Sequence, residues 1–425
     1  MSHPWAARAW AAAANALAPA LPWYLRARAR RGKEITARLP ERQGIDPTPR
    51  PAGRVVWMHA ASVGETMSIL PLLPILARHA TVLLTTGTVT SAELLEQRLP
   101  AVGLTGRVLH RFAPLDVPAW VDRFLDHWQP DVIAFVESEL WPNQLLAARA
   151  RAIPLILLNA RMSEGSFRFW RRVPAFARHV LGAFATIWAR GNEDAARFRA
   201  LGVPHVTVEG DLKFAAPPLP CDQDEYDRLR EALAGRPVWV AASTHPGEEA
   251  AIAALHPALD DRHPGLLTII VPRHPDRGSA LASELGLPRR SVDATPPAEG
   301  AWIADTLGEM GLWYRLAPVV FVGRSLFPPG GGQNPLEPAR LGCAIAVGPH
   351  TGNFIEHGTL LREADAMREV PTPDALAAFV SEMLDHPDRA QAMGQRAAAI
   401  AERHVDLPDR AAAAILSLII GRSGG

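Results

Sequence analysis

The chain of 425 residues is poor in cysteine and in lysine. Its two cysteines, Cys221 and Cys343, lie far apart with no CxxC. That excludes a zinc ribbon and a disulfide framework and fits a reducing compartment. Of 44 basic residues only Lys33 and Lys213 are lysines, the other 42 being arginines. An excess of either charge is also missing, because 44 acidic residues balance the basic ones. This removes the global positive field of a sequence-blind nucleic-acid binder, and no nucleic-acid partner is expected. No GxGxxG, GxxxxGK, GxSxG or HExxH string occurs, which argues against Rossmann cofactors, P-loop chemistry, hydrolase elbows and zincins. What is present is a composition 48% hydrophobic and 21% charged, enough to build full cores. At roughly 150 residues per domain the length predicts two or three of them.

The amino terminus has a character of its own. Pro4 to Leu25 is rich in alanine and carries Trp5, Trp10, Trp23 and Tyr24, and Arg26-Ala-Arg-Ala-Arg-Arg31 follows at once. Arg8, Pro19 and Pro22 keep the run below the ~18 apolar residues of a spanning helix. Interfacial aromatics followed by arginines predict that residues 1–31 lie on, or dip into, an anionic cytoplasmic leaflet. The plain alternative is a solvated helix with a charge run.

Beyond residue 50 short apolar runs alternate with helical patterns. Strands are expected at Arg54–His59, Thr81–Thr86, Asp131–Val136, Pro154–Leu158, Thr186–Ala189 and His205–Val208. Helices are expected between them, including Thr66–His79 across Pro71 and Pro74, and Phe167–Phe184. The rhythm stops in the Pro-rich stretch 215–224, a candidate linker, and restarts with strands at Pro237–Ala241, Leu267–Val271, Val319–Val322 and Ala344–Val347. This predicts an α/β protein of two doubly wound, Rossmann-like domains, 50–214 and 225–425, facing a cleft that receives ligands at the strands' carboxyl ends.

The chemistry-bearing residues fall where that rule puts them. His59-Ala-Ala-Ser-Val-Gly-Glu65 joins a strand to a helix, so the dipole should keep Glu65 ionised as a candidate general base. An ordinary first-turn acid is the alternative. Glu137 and Glu139 follow a buried strand two residues apart and would share a face if the strand continued. Either could instead cap the next helix, Glu139 above all. Lys213, the rare lysine, closes a strand just before the linker. In the second half, Ala242-Ser-Thr-His-Pro-Gly-Glu-Glu249, Arg273 at a strand end and Asp305 or Thr306 as a helix cap read as anion-binding features. Pro329-Gly-Gly-Gly-Gln-Asn-Pro-Leu-Glu-Pro338 could hold a phosphate at a helix start, with Glu337 accepting from a ribose. Asp222-Gln-Asp224 matches a short metal-binding pattern but lies in the linker, and reads as solvated surface.

The strings HAASVGET, ESELWPN, LNARMS, GDLKF, STHPGEE, PRHP, DTLGEM and GGQNPLEP, in this order, resemble the 3-deoxy-D-manno-octulosonic acid (Kdo) transferases of lipopolysaccharide synthesis. The resemblance runs from about residue 20 to 405. It implies an inverting, metal-independent glycosyltransferase of the GT-B fold, without a cofactor, moving Kdo from CMP-Kdo to a glucosamine hydroxyl of a lipid A precursor (lipid IVA). It implies residence at the cytoplasmic face of the inner membrane, peripheral or monotopic. By the same resemblance Glu65 is the general base, and Glu137 and Lys213 stabilise the transition state. Pro272, Arg273, Leu307, Gly308, Glu309, Asn334, Pro335, Leu336 and Glu337 fall on nucleotide-contacting positions. Gln333 and Arg324 depart from the family's usual histidine and glycine. Another GT-B enzyme with a different nucleotide sugar, or a membrane-surface scaffold, are the alternatives.

Overall fold

The structure is a computed structural model that describes residues 4–215, 218–233, 235–403 and 405–420. It divides into two compact units, one of residues 1–216 with 404–425, the other of residues 217–403.

The first unit is built on seven strands: β1 (Val55–Ala60), β2 (Thr81–Thr86), β3 (Val108–Phe112), β4 (Val132–Val136), β5 (Leu155–Ala160), β6 (Thr186–Ala189) and β7 (Val206–Val208). They run parallel in the order β3-β2-β1-β4-β5-β6-β7. Every residue of β1 and β4 is buried, because helices cover both faces of the sheet, and this is why these strands read as unbroken apolar runs. Alternate residues serve opposite cores. Val55 and Trp57 pack with Phe124, Phe135 and Leu145 on one face, Val56 and Met58 with Leu72, Leu84 and Ile156 on the other. The strand order reverses between β1 and β4, so their carboxyl ends open a crevice.

The amino-terminal segment is docked on this unit. Helix α1 (Trp5–Leu17) buries Ala7 in the Trp57 core, and helix α2 (Leu21–Ala29) buries Leu25. Trp10 donates its indole N–H to Asp116 at 2.8 Å. Arg28 and the buried Arg42 both pair with buried Glu34, each at 3.1 Å. Trp5, Leu17, Trp23 and Tyr24 stay exposed. No helix among the described residues is long and apolar enough to cross a membrane.

The second unit repeats the plan with β8 (Val238–Thr244), β9 (Leu267–Pro272), β10 (Ala301–Ile303), β11 (Val319–Val322), β12 (Ala344–Val347) and β13 (Met367–Glu369), all parallel in the order β10-β9-β8-β11-β12-β13. Its order reverses between β8 and β11.

Several expectations need correction. The helix expected at 66–79 is α3 (Val63–Ile69), a 3₁₀ turn Leu70–Leu72 and a short helix Leu73–Leu76, since Pro71 and Pro74 each lack the N–H the ladder needs. The helix expected at 167–184 is Glu164–Arg172 and Pro174–Leu181, because Pro174 forces Val173 out of the helical region. The linker expected over 215–224, of which 216 and 217 lie outside the described residues, already gives way to the helix Gln223–Ala232. Asp222 caps that helix by accepting from Glu225 N–H at 3.1 Å. The second domain does not run from 225 to 425. The final helix, Leu407–Ile420, joins the first unit, where Leu407, Ala411, Ile415 and Ile419 complete the Val56–Met58 core.

Ile415 has no exposed surface in that core. Ile415→Ala should therefore destabilise the first unit by about 2–5 kcal/mol. Thermal and urea unfolding check this; a loss under about 0.5 kcal/mol would mean the last helix is an ornament.

Candidate active site

The crevice of the first unit is lined by the segments leaving the carboxyl ends of β1 and β4. Ser62 caps α3, accepting from Glu65 N–H at 3.4 Å, and Glu65 folds back onto the cap. Its Oε1 accepts from the Ser62 hydroxyl at 2.9 Å and its Oε2 from Ala61 N–H at 2.7 Å. This is a capping box displaced by one residue. A carboxylate has about four lone-pair sites, so half of its capacity stays open. Burial lifts the Glu65 carboxyl above its usual range, and the charges of Glu139 and Glu137 add to the lift. The Ala61 and Ser62 bonds offset only part of it. Burial thus outweighs those two bonds in setting the direction. A carboxylate with raised proton affinity is the better proton acceptor.

Glu137 and Glu139 do not share a strand face, because β4 ends at Val136 and Glu137 turns the chain with φ +57°. Asn159, at the end of the neighbouring β5, is also left-handed at φ +53°. Such non-glycine positions cost on the order of 1–3 kcal/mol and gather at functional sites. The turn aims Glu137 at Lys213, whose Nζ stands 2.7 Å from Glu137 Oε1 as an ion pair without hydrogen-bond geometry. Lys213 is set by a 3₁₀ turn, with Leu212 N–H donating to Asn159 Oδ1 at 3.0 Å and Lys213 N–H to Asp211 Oδ1 at 2.9 Å.

Glu139 points the other way and does not cap the next helix. It accepts from the Trp141 indole and meets His59 Nε2 at 3.3 Å. Burial pushes its carboxyl up, but the bonds to His59 and Trp141 more than offset this and the net direction is down. The cap of the helix Pro142–Ala150 is Asp116, arriving from the loop after β3. Its oxygens accept from Asn143 N–H at 3.2 Å and Gln144 N–H at 2.9 Å. Burial drives the Asp116 carboxyl to about 6 despite these bonds and that of Trp10. Asp116 and His59 were not singled out from the sequence: Asp116 is a cap from a distant loop, and His59 reads as one more residue of a buried strand.

In the second unit, Pro272 ends β9 and Arg273 follows it, exposed, with its N–H on the Thr244 carbonyl at 3.0 Å. Leu307, Gly308 and Glu309 follow β10. Leu307 is 85% exposed and Gly308 has φ +85°. The Glu309 carboxylate is engaged by Arg290 at 2.8 Å and by the Thr306 hydroxyl, so this loop offers a ligand its backbone and Leu307. Asp305 does not cap a helix; it accepts from Ser291 N–H at 2.9 Å and pairs with Arg289. Gly330 to Gly332 all have positive φ, and a side chain on Gly330 would strike His350. Asn334, Pro335, Leu336 and Glu337 come next, with Asn334 donating to Glu337 Oε1 at 3.3 Å and accepting from Leu336 N–H at 3.1 Å. Burial raises the Glu337 carboxyl, and Asn334, Arg340 and Arg273 pull it part of the way back. The β10 and β11 loops are three strand spacings apart, roughly 14 Å, room for an extended nucleotide.

Glu248 ties this edge together and was not anticipated. Buried, it accepts from four backbone N–H groups: His245 at 2.9 Å, Arg324 at 2.7 Å, Ser325 at 2.9 Å and Leu326 at 3.0 Å. It thereby staples the β8 loop to the β11 loop at the point of reversal. The departures sit on this staple. Arg324 has φ +58° and an exposed side chain, and the Gln333 amide lies 3.1 Å from His245 Nε2. Among the described residues no three His, Cys, Asp or Glu side chains are gathered to hold a metal ion.

Glu248→Gln turns one acceptor into a donor facing N–H groups. Bonds to charged groups are each worth about 1.5–3 kcal/mol, so urea unfolding of the second unit should show a loss of about 3 kcal/mol. A loss under about 1 kcal/mol would show that the loops hold without it.

Known proteins resemble this chain over most of its length. A family model for 3-deoxy-D-manno-octulosonic-acid transferase (kdotransferase) matches residues 37–216. The chain is 36% identical over 404 residues to a probable mitochondrial 3-deoxy-D-manno-octulosonic acid transferase of Arabidopsis thaliana, covering 90% of this chain and 88% of that one. It is 35% identical over 407 residues to the 3-deoxy-D-manno-octulosonic acid transferase of Bordetella pertussis, covering 92% and 94%. A solved glycosyltransferase from Rickettsia africae, only 11% identical, shares the fold at a TM-score of 0.54, covering 87% of this chain and 99% of that one. The fold is therefore of the GT-B type, and the chain belongs to the Kdo transferase family of glycosyltransferases.

Proposed function

We propose that this protein transfers Kdo from CMP-Kdo to a glucosamine hydroxyl of a lipid A precursor, lipid IVA, by a single inverting displacement without a metal. The observation that carries the reading is Glu65: a carboxylate of raised proton affinity, with open lone pairs, at the point where the first sheet reverses. It takes the acceptor hydroxyl's proton as that oxygen bonds to the anomeric carbon. The bond from that carbon to the phosphate breaks on the opposite face, and CMP leaves with the electron pair. Lys213, held beside Glu137, supplies positive charge for the sugar carboxylate or the departing phosphate. Arg273 and the loops at 307–309 and 334–337 hold CMP, with Glu337 on the ribose.

The same reading sets the exposed face of α1 and α2 on the anionic cytoplasmic leaflet of the inner membrane. Trp5, Leu17 and Trp23 protrude there beside exposed Arg26, Arg30 and Arg31. Each basic residue near such a surface adds about 1 kcal/mol. Because α1 and α2 are docked on the core, substitution tests this better than truncation. Trp5→Ser with Trp23→Ser should cut pelleting with anionic vesicles while CMP binding holds. Undiminished pelleting would refute the membrane face.

Two substitutions divide the labour between the units. In Glu65→Gln, loss of the base should lower kcat about 10²–10⁴-fold with CMP affinity unchanged. The wild-type rate should fall with acid as Glu65 protonates, at a pKa above the ordinary carboxyl value, and that limb should vanish in the variant. In Glu337→Gln, loss of a ribose bond should weaken CMP roughly tenfold or more. Calorimetric titration of CMP, and turnover of CMP-Kdo with lipid IVA in EDTA, read both variants. The reverse pattern, or turnover that needs Mg²⁺ restored, would overturn the assignment.

A further inference from the structure

Over the carboxyl ends of β3, β2, β1 and β4 lies a cavity of about 390 Å³, within the range of small-molecule sites. One wall is α2, through Tyr24 and Arg28; the other is formed by Ala61, Asp116, Glu139 and Trp141. Ala61 is the residue whose N–H holds Glu65 Oε2, so Glu65 is hydrogen-bonded to the cavity's lining. Inside, Arg28 and Arg42 share Glu34, while Asp116 and Glu139, the latter beside His59, add two more carboxylates. Such a cavity has little pull on a phosphate. It instead offers the partly exposed faces of Trp141 and Tyr24, with carboxylate oxygens that can accept further hydrogen bonds. An aromatic plane for C–H groups beside acceptors for hydroxyls suits a pyranose ring.

A second cavity of about 190 Å³ shares Trp141 with the first. Its walls include Trp10, Leu140, Phe169, Trp170 and Phe176, and are largely apolar. A pocket lined by charged side chains and one lined by none, sharing a single indole, match a sugar carrying an acyl chain.

We infer that the larger cavity holds the acceptor's sugar ring and the smaller one the first carbons of its acyl chain, so that α1 and α2 are walls of the acceptor site as well as a membrane face. The sugar's identity as glucosamine, and its role as acceptor, rest on the proposed function. The placement rests on the two cavities.

The test uses the full chain and two probes: a deacylated glucosamine disaccharide bisphosphate and the same disaccharide with short acyl chains. Tyr24→Ala and Phe169→Ser alter exposed side chains, so folding is not at stake. Tyr24→Ala should raise KM for both probes about tenfold, and Phe169→Ser should raise it for the acylated probe alone, with CMP affinity unchanged in both. Unchanged KM for the deacylated probe in Tyr24→Ala would overturn the inference, as would equal effects of Phe169→Ser on the two probes. If the wild-type protein transfers no Kdo to either probe, the proposed function fails. Calorimetric binding of the deacylated probe, weakened by Tyr24→Ala, would then still support the sugar pocket, and absence of binding would remove it.

Discussion

Both units depend on one constraint: a doubly wound parallel sheet has to reverse its strand order somewhere. In the first unit this happens between β1 and β4, in the second between β8 and β11. At each reversal the connections leave to opposite faces of the sheet, and no crossover covers the gap between the two strand ends. Polar groups placed there meet ligand or solvent instead of core. Ser62, Glu65 and Glu137 occupy the first gap, and Glu248 spans the second. The rest of the sheets, with β1 and β4 fully buried, makes those few positions rigid.

What distinguishes the acids in the first gap is how far each one's burial is offset. An unmatched carboxylate taken from water is expensive, and it lowers the cost by gaining partners or a proton. Glu139 has a histidine and an indole, and its proton affinity falls. Asp116 has two backbone N–H groups and the Trp10 indole, yet deeper burial still lifts it to about 6. Glu65 has one backbone N–H and one hydroxyl, with two other carboxylates nearby, and it rises. Glu65 joins a raised proton affinity to lone pairs left open at the start of the helix after β1, whereas the oxygens of Asp116 are taken up by Trp10 and by the cap of the helix after β4. Glu139 is better read as an anchor for His59 and Trp141.

The strands were legible because burial on both faces writes them as unbroken apolar runs, as in Val55–Ala60 and Val319–Val322. β3 was not, since His110 and Arg111 interrupt an edge strand whose middle is only half-buried. Helix continuity was misread where proline decided it, at Pro71, Pro74 and Pro174, because apolar spacing persists through a break that backbone chemistry imposes. The return of Leu407–Ile420 to the first unit could not be read locally, as an apolar face does not itself say which core it joins. The placement of Glu65, Glu137 and Lys213 at strand ends was legible, while the roles expected of them came from the family resemblance. Asp116 and Glu248 were not, because their partners are backbone N–H groups brought near by the fold, in the case of Asp116 from 27 residues away.

The rare lysine also has a physical account. In a chain with 42 arginines and one other lysine, a guanidinium at 213 would lay its planar fork along the Glu137 carboxylate and spend two N–H groups on it. The ammonium of Lys213 instead sits 2.7 Å from a single oxygen, outside hydrogen-bond geometry, and remains partly exposed. Glu137 thus fixes where the charge stands through one oxygen and leaves N–H groups of the ammonium for a ligand. A compact cation with rotatable N–H groups can follow negative charge as it shifts during a displacement, which a fork locked to its partner cannot. The left-handed turn at Glu137 is what brings the carboxylate into position, so the strain at that residue and the survival of lysine at 213 are two parts of one arrangement.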